Sequence, residues 1–309
     1  MSLIVTGSVG IDTIETPDGQ RADQVLGGSS IYFAAGASYF TNVRLVAAVG
    51  EDFPDHFHEQ FAQFDVCTQG LEQRAGSKTF RWHGRYHENM NDRDTLDVQL
   101  NVLGEDLPPV PQAYRDSKYI FLANTHPAGQ LALLGQFPER KLVVADTMDL
   151  WIQTEPDLLK QLIGQVDGFV LNDSEAKMLT GENNVVRAAD KVLEMGPTFV
   201  IVKKGEHGAI LRHRAPGSQD ISTGVLPAFP AADVVDPTGA GDSFASGMMG
   251  YLCEQDDISI DAIKRAMAYG TMVASFTIEK FSIQRLIEID RAQIDARLAQ
   301  YTRHLHIGG

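Results

Sequence analysis

The chain has 309 residues, 43% of them hydrophobic, and a formal net charge of −15. That apolar content supplies a large core for one or two domains, while the acidic balance argues against a nucleic acid or an anionic membrane surface as partner. No apolar run approaches the ~20 residues that span a bilayer, and two cysteines, Cys67 and Cys253, are too few for a disulfide framework or a zinc site.

Met1-Ser2-Leu3-Ile4-Val5 enters a strand pattern without the charged stretch of a signal peptide, which sets the expectation of a soluble cytoplasmic protein. Apolar runs suited to buried parallel strands follow at Leu3–Val9, Val43–Val49, Tyr119–Leu122, Leu142–Ala145, Gly168–Leu171 and Thr198–Val202. Amphipathic stretches at Ser29–Phe40, Phe53–Phe64, Ala128–Gln136, Asp157–Ile163, Ser174–Leu179 and Val186–Met195 alternate with them. Three more helices are expected at Asp242–Glu254, Ile258–Glu279 and Asp290–Tyr301. This alternation predicts an α/β protein with three layers, a mostly parallel central sheet between helices. Two segments, about 11–26 and 78–103, break the rhythm with alternating strand patterns. They predict a small β-strand lid over the carboxyl edge of the sheet, where ligands of open α/β sheets sit. One domain over 1–309 is expected, since no linker or repeat interrupts the chain.

The richest segment is Asp236-Pro237-Thr238-Gly239-Ala240-Gly241-Asp242, which leads into the small-residue stretch Ser243–Gly250. A helix start offers free backbone N–H groups and a positive dipole end. Gly239 and Gly241 remove side chains that would hold a phosphate away. A bare anion site has no use for the carboxylate of Asp242; phosphoryl transfer does, because a group must accept the proton of the attacking hydroxyl. Elsewhere, Asp12 closes a strand where it can accept two hydroxyls or serve a turn. Gly27-Gly28 lets a substrate approach backbone, or makes a tight connection. Asn172 and Glu175 lie one helical turn apart, as in a metal and phosphate site or as in a capping box.

Together and in order these motifs resemble the ribokinase-like (PfkB) family of carbohydrate and nucleoside kinases. The resemblance spans nearly the whole chain and implies transfer of the ATP γ-phosphoryl to a sugar or nucleoside hydroxyl. It makes Asp242 the catalytic base and Gly239, Ala240 and Gly241 the anion hole. It gives substrate binding to Asp12, Gly27 and Gly28, and to Asn124 after the strand Tyr119–Leu122; Asp146, which ends the next strand and faces the same edge, is a further substrate-binding candidate. Asn172, Lys204, Gly205 and Gly208 fall on nucleotide-binding elements. Glu175 falls on the Mg2+ position, and Asp236 and Thr238 on the monovalent-cation (K+) site of potassium-activated members. The chain departs from many members at Gly10, where those carry Asn, and from ribose-type members at Ser29 and Tyr32, where those carry Lys and Asn. Basic and aromatic lid residues, among them Lys78, Arg81, Trp82, Arg85, Tyr86 and Arg93, leave the acceptor open between a sugar, an acidic sugar and a nucleoside.

Other readings are weaker. Gly241-Asp242-Ser243-Phe244-Ala245 lacks the preceding strand and the usable later histidine of a serine-hydrolase elbow. Phe244 breaks a dinucleotide fingerprint. A non-catalytic sugar or nucleotide sensor would have no need of Asp242. His56 and His58 diverge at i,i+2, and His304 and His306 lie near the chain end. A homodimer through Phe80, Trp82 and Leu96–Val102 is expected from the unpaired lid edge.

Overall fold

The computed structural model describes residues 2–305; His306 lies outside them. A nine-stranded sheet forms the middle layer. Its parallel strands are β1 (Ser2–Thr6), β4 (Asn42–Gly50), β5 (Val66–Arg74), β8 (Tyr119–Leu122), β9 (Leu142–Asp146), β10 (Gly168–Asn172) and β11 (Phe199–Lys203). Antiparallel β12 (Ala209–Arg214) and β13 (Ile221–Leu226) extend it beyond β11, giving the order β13-β12-β11-β10-β9-β8-β1-β4-β5.

The apolar runs are continuous because both faces of these strands are covered. On one face Leu3, Val5, Tyr119, Phe121 and Val144 pack under α1 (Ser29–Ala37), α8 (Ala240–Gln255) and α9 (Ile260–Thr277). On the other, Ile4, Ile120, Leu122, Val143 and Phe169 pack under α3 (Pro127–Leu134), α5 (Pro156–Ile163) and α7 (Val185–Leu193). The Phe33 and Phe121 rings stack at 4.3 Å. Each such buried side chain contributes ~2 kcal/mol of apolar transfer. The small residues after Asp242 serve close helix packing: a methyl group on Gly36 of α1 would lie 2.1 Å from the Ser246 hydroxyl of α8. The layered α/β architecture is as expected.

A separate four-stranded sheet has the order β3-β2-β6-β7, from β2 (Gly10–Glu15), β3 (Arg21–Gly27), β6 (Phe80–Tyr86) and β7 (Arg93–Gln99). Leu100 and Val102 belong to no strand; Val102 is buried in a 3-10 turn, Asn101–Gly104. Sequence reading also passed over β5 and β13. Both are edge strands of polar composition, which leave no continuous apolar run to detect.

Candidate active site

The carboxyl ends of β9, β10 and β11 and the start of α8 converge on one edge of the sheet. There the loop before α8 is held by Asp236, fully buried, whose Oδ1 accepts the Thr238 N–H at 2.9 Å and Oδ2 the Ser282 N–H at 3.4 Å. Burial pushes its pKa up to about 6. Gly239 caps the helix at φ 74°, and its Cα lies against the Tyr32 ring. The Ala240 N–H donates to the Pro237 carbonyl at 3.1 Å. That donor is therefore committed, while the N–H groups of Gly239 and Gly241 have no partner among the described residues. Asp242 sits in the first turn of α8. Burial raises its pKa to about 6, against the opposing charges of Lys203 and Arg93.

Asp12 projects from β2 towards Gly27 on β3. A methyl group on Gly27 would lie 1.9 Å from Asp12 Oδ2, so the glycine makes room for the carboxylate. Gly28, at φ 100°, crosses over the Ser8 carbonyl and starts α1. The Asp12 Oδ1 atom is buried without a partner. Burial first, then Asp236 and Asp242, push the Asp12 pKa up to about 8. Directly across the parallel β2–β6 pair from Asp12 is Trp82. The Asn124 carbonyl accepts the Ser8 N–H, and its side-chain Oδ1 accepts Trp151 Nε1–H at 2.8 Å. Its amide Nδ2, on the side away from the indole, donates to Met148 Sδ at 3.1 Å. Asp146 ends β9, with Oδ1 buried and unpartnered; burial and Asp242 hold its pKa far above the carboxylate range, and Lys203 opposes them.

Asn172 and Glu175 form a full capping box at the start of α6 (Asp173–Thr180). The Glu175 N–H donates to Asn172 Oδ1 at 2.8 Å and the Asn172 N–H to Glu175 Oε2 at 2.7 Å. The cap does not exhaust Glu175, which is buried and has a pKa raised to about 7 by burial, with Lys203 opposing. Buried, unpartnered oxygens of Asp146 and Asp149 accompany it. Among the described residues no three His, Cys, Asp or Glu side chains form a metal cage. A few acidic oxygens beside open space suit Mg2+, which keeps most of its waters and phosphate ligands.

Lys204, Gly205 and Gly208 make the turn between β11 and β12, closed by the Lys204 N–H on the Gly208 carbonyl at 2.7 Å. Lys203, one residue earlier, is the cation the sequence reading missed. Its ammonium would lie 2.7 Å from a methyl group on Gly241, and its charge acts on Asp146, Glu175 and Asp242. The available signal was its place as last residue of a strand at the carboxyl edge, in register with Asn172. Tyr32 and Tyr86, marked by the sequence only as a departure from ribose-type members and a lid aromatic, also reach this edge. The Tyr32 hydroxyl is buried without a partner, and the Tyr86 hydroxyl lies 3.0 Å from Thr238 Oγ1.

Such an edge, with unpartnered N–H groups at a helix start, buried acids and one lysine without an ion pair among the described residues, has the make-up that a phosphotransferase with an alcohol group as acceptor requires. The family model for pfkB family carbohydrate kinases matches residues 132–289. The cytidine kinase of Thermococcus kodakarensis is 30% identical over 258 residues, covering 81% of this chain and 88% of that protein. A Burkholderia thailandensis nucleoside kinase solved with inosine superposes with a TM-score of 0.78 at 19% identity, over 97% of this chain and 98% of that one. A protein assigned as ribokinase II from E. coli, solved with ATP and Mg2+, gives 0.76 at 16% identity over 97% and 99%. The chain belongs to the pfkB family of carbohydrate kinases and has the ribokinase-like fold. ATP and Mg2+ binding are typical of that family, and no helix among the described residues is long and apolar enough to cross a membrane.

Proposed function

We propose that the protein transfers the γ-phosphoryl group of ATP to a hydroxyl of a nucleoside, in preference to a free sugar. The observation that carries this reading is the pairing of Asp12 with Trp82 on adjacent strands of one sheet face. A carboxylate accepts vicinal hydroxyls, and an indole beside it offers an aromatic surface to a base. Ser29 and Tyr32, in place of the Lys and Asn of ribose-type members, support a different acceptor, and so does the similarity to a cytidine kinase.

In this reading Asp242 takes the proton of the attacking hydroxyl. The Gly239 and Gly241 N–H groups and the Lys203 ammonium meet the charge on the transferring group. Gly205 and Gly208 bring backbone close to the nucleotide, beside Lys204. Asn124, whose Nδ2 already donates one N–H to Met148 Sδ, would offer its second amide N–H to the acceptor. Glu175, oriented by Asn172, and Asp146 would hold Mg2+ through its waters; when bound, the ion neutralises phosphate charge. The chain acts as one domain, with 11–26 and 78–103 as its lid.

The deciding assay couples ATP consumption to a panel of cytidine, other nucleosides, ribose and sugar phosphates. Cytidine or another nucleoside is expected to give kcat/KM at least ~10-fold above ribose, the span of about 1.4 kcal/mol of differential contact. Preferred turnover of a free sugar overturns the nucleoside reading, and no turnover with any acceptor leaves the sensor. The same assay in K+ and in Na+ tests a cation at Asp236 and Thr238. Their side-chain oxygens are engaged with Ser282, Tyr86 and the Thr238 N–H, so the ion would take backbone carbonyls. Equal rates in both salts remove it.

A homodimer through the second sheet is part of the same proposal. Phe80 and Trp82 are half-buried and Val102 is buried, so Leu96 and Val98 on edge strand β7 are the exposed apolar residues that a second copy would cover. A monomeric mass in light scattering at micromolar concentration removes it.

A further inference from the structure

The β6–β7 hairpin brings to this site a residue that the reaction described above leaves unused. Arg93 opens β7 and pairs in register with Tyr86 of β6. Partners in an antiparallel pair carry their side chains on one face. From that face Tyr86 reaches Thr238, in the loop before Asp242. Two residues before Arg93, Asn91 sits against the nucleotide turn: a methyl group on Gly205 would lie 2.2 Å from Asn91 Oδ1. Arg93 is thus bracketed by one contact to the loop of the base and one to the loop of the nucleotide. The transferring group has to cross between those two loops.

The bonding state of Arg93 points the same way. The other arginines of this sheet are paired: Arg81 with Asp52, Arg85 with Glu15, and Arg21 with Glu15 and Asp23. Among the described residues the Arg93 side chain makes no hydrogen bond and no ion pair; only its backbone is engaged, in the β6–β7 ladder. Its one contact is with the Trp82 ring, 5.9 Å from guanidinium carbon to centroid, at the outer limit of a cation–π interaction and easily released. Its charge acts inward, on Asp242 and Glu175. Arg93 is solvent-exposed, as all of β7 is, yet its charge reaches two buried acids of the site.

We propose that Arg93 is a catalytic residue of phosphoryl transfer, carried over the γ-phosphoryl group by the β6–β7 hairpin. As the acceptor oxygen attacks phosphorus, its proton passes to Asp242 and the new O–P bond forms. The bond from phosphorus to the β,γ-bridging oxygen breaks, and its electron pair leaves on ADP. Negative charge then spreads over the equatorial oxygens. A planar guanidinium can donate two parallel N–H bonds to two of them. Lys203 supplies a point charge from the sheet edge and Arg93 a fork from the hairpin.

This inference rests on the kinase reading and not on the identity of the acceptor. The test compares the full chain with Arg93→Met and Arg93→Lys, using Mg-ATP and whichever panel acceptor turns over fastest in the wild type. Arg93→Met is expected to lower kcat at least ~100-fold, within the range for arginines that stabilise this transition state, with acceptor KM changed less than ~3-fold. Arg93→Lys recovers part of the rate. A second readout needs no turnover. Binding of ADP, Mg2+ and aluminium fluoride is followed by the fluorescence of the two tryptophans, Trp82 and Trp151. It should weaken by at least ~100-fold in Arg93→Met, with the affinity for a non-hydrolysable ATP analogue nearly unchanged. Near-wild-type kcat overturns the proposal, as does equal loss of both affinities. A raised acceptor KM at unchanged kcat also overturns it, and assigns Arg93 to an acidic group on the acceptor. Failure of the kinase reading itself is separate: the wild type would then turn over no acceptor.

Discussion

Asp242→Asn is expected to lower kcat at least ~100-fold, the usual cost of losing a general base, while ATP affinity stays within ~3-fold. The amide keeps the shape and packing of the first turn of α8 and loses only the proton acceptor. The pH dependence sharpens the test. The Asp242 pKa is raised to about 6 because burial penalises the charged form more than Lys203 and Arg93 favour it. Below that pH the carboxyl is protonated and cannot accept a proton, so wild-type kcat/KM should rise with pH through about 6. The residual rate of Asp242→Asn should lack that limb. Stability runs the other way. A folded pKa above the unfolded 3.8 contributes stability that is present at low pH and is lost as pH rises through about 6. At pH 7.5 the neutral amide should therefore leave Tm at or above the wild-type value. A variant with near-wild-type turnover, or one that keeps the acid limb, would sink the assignment of Asp242 as base.

Much of the candidate site was legible because a proposed phosphate site is written in short stretches of chain. Gly239 and Gly241 before Asp242, Gly27 and Gly28 before α1, and Asn172 three residues before Glu175 all act through local backbone geometry. Local geometry is what spacing encodes. The central strands were legible for a similar reason: burial on both faces leaves unbroken apolar runs such as Tyr119–Leu122. The residues that escaped act across the fold. Lys203 matters because β11 ends beside β10 and faces Gly241, about 40 residues on. Arg93 matters because a hairpin tip lands on Gly205. Tyr32 read only as a departure from ribose-type members. The pairing of Asp12 with Trp82 depends on a parallel register between distant segments, which nothing in either segment announces. Capping and metal-site readings of Asn172 and Glu175 could not be separated by sequence, because the two side chains cap the helix and leave a buried carboxylate oxygen at the site.

Tyr32 also sets the sharpest contrast among the glycines. Gly239→Ala is expected to lower kcat by ~100-fold or more and to lower Tm, whereas Gly241→Ala should cost far less stability. At Gly239 φ is 74°, a left-handed conformation that costs a residue with a Cβ roughly 1–2 kcal/mol. The new methyl would lie 2.3–2.4 Å from three carbons of the Tyr32 ring. That ring is fully buried in the core, so it has no room to retreat, and overpacking adds ~1–3 kcal/mol. The relief available is to move the loop, which carries the unpartnered N–H groups of Gly239 and Gly241 out of line. Loss of one such donor typically costs ~100-fold or more in kcat. At Gly241 the nearest atom is the Lys203 ammonium, 2.7 Å away at the end of a flexible chain. It can shift, so Gly241→Ala should keep Tm and lose rate only as far as Lys203 is displaced. Thermal melts and turnover on the two variants check this. If Gly239→Ala matches the wild type in both, the Gly239 loop is not the anion site, and the fit of Tyr32 beneath it has no catalytic consequence.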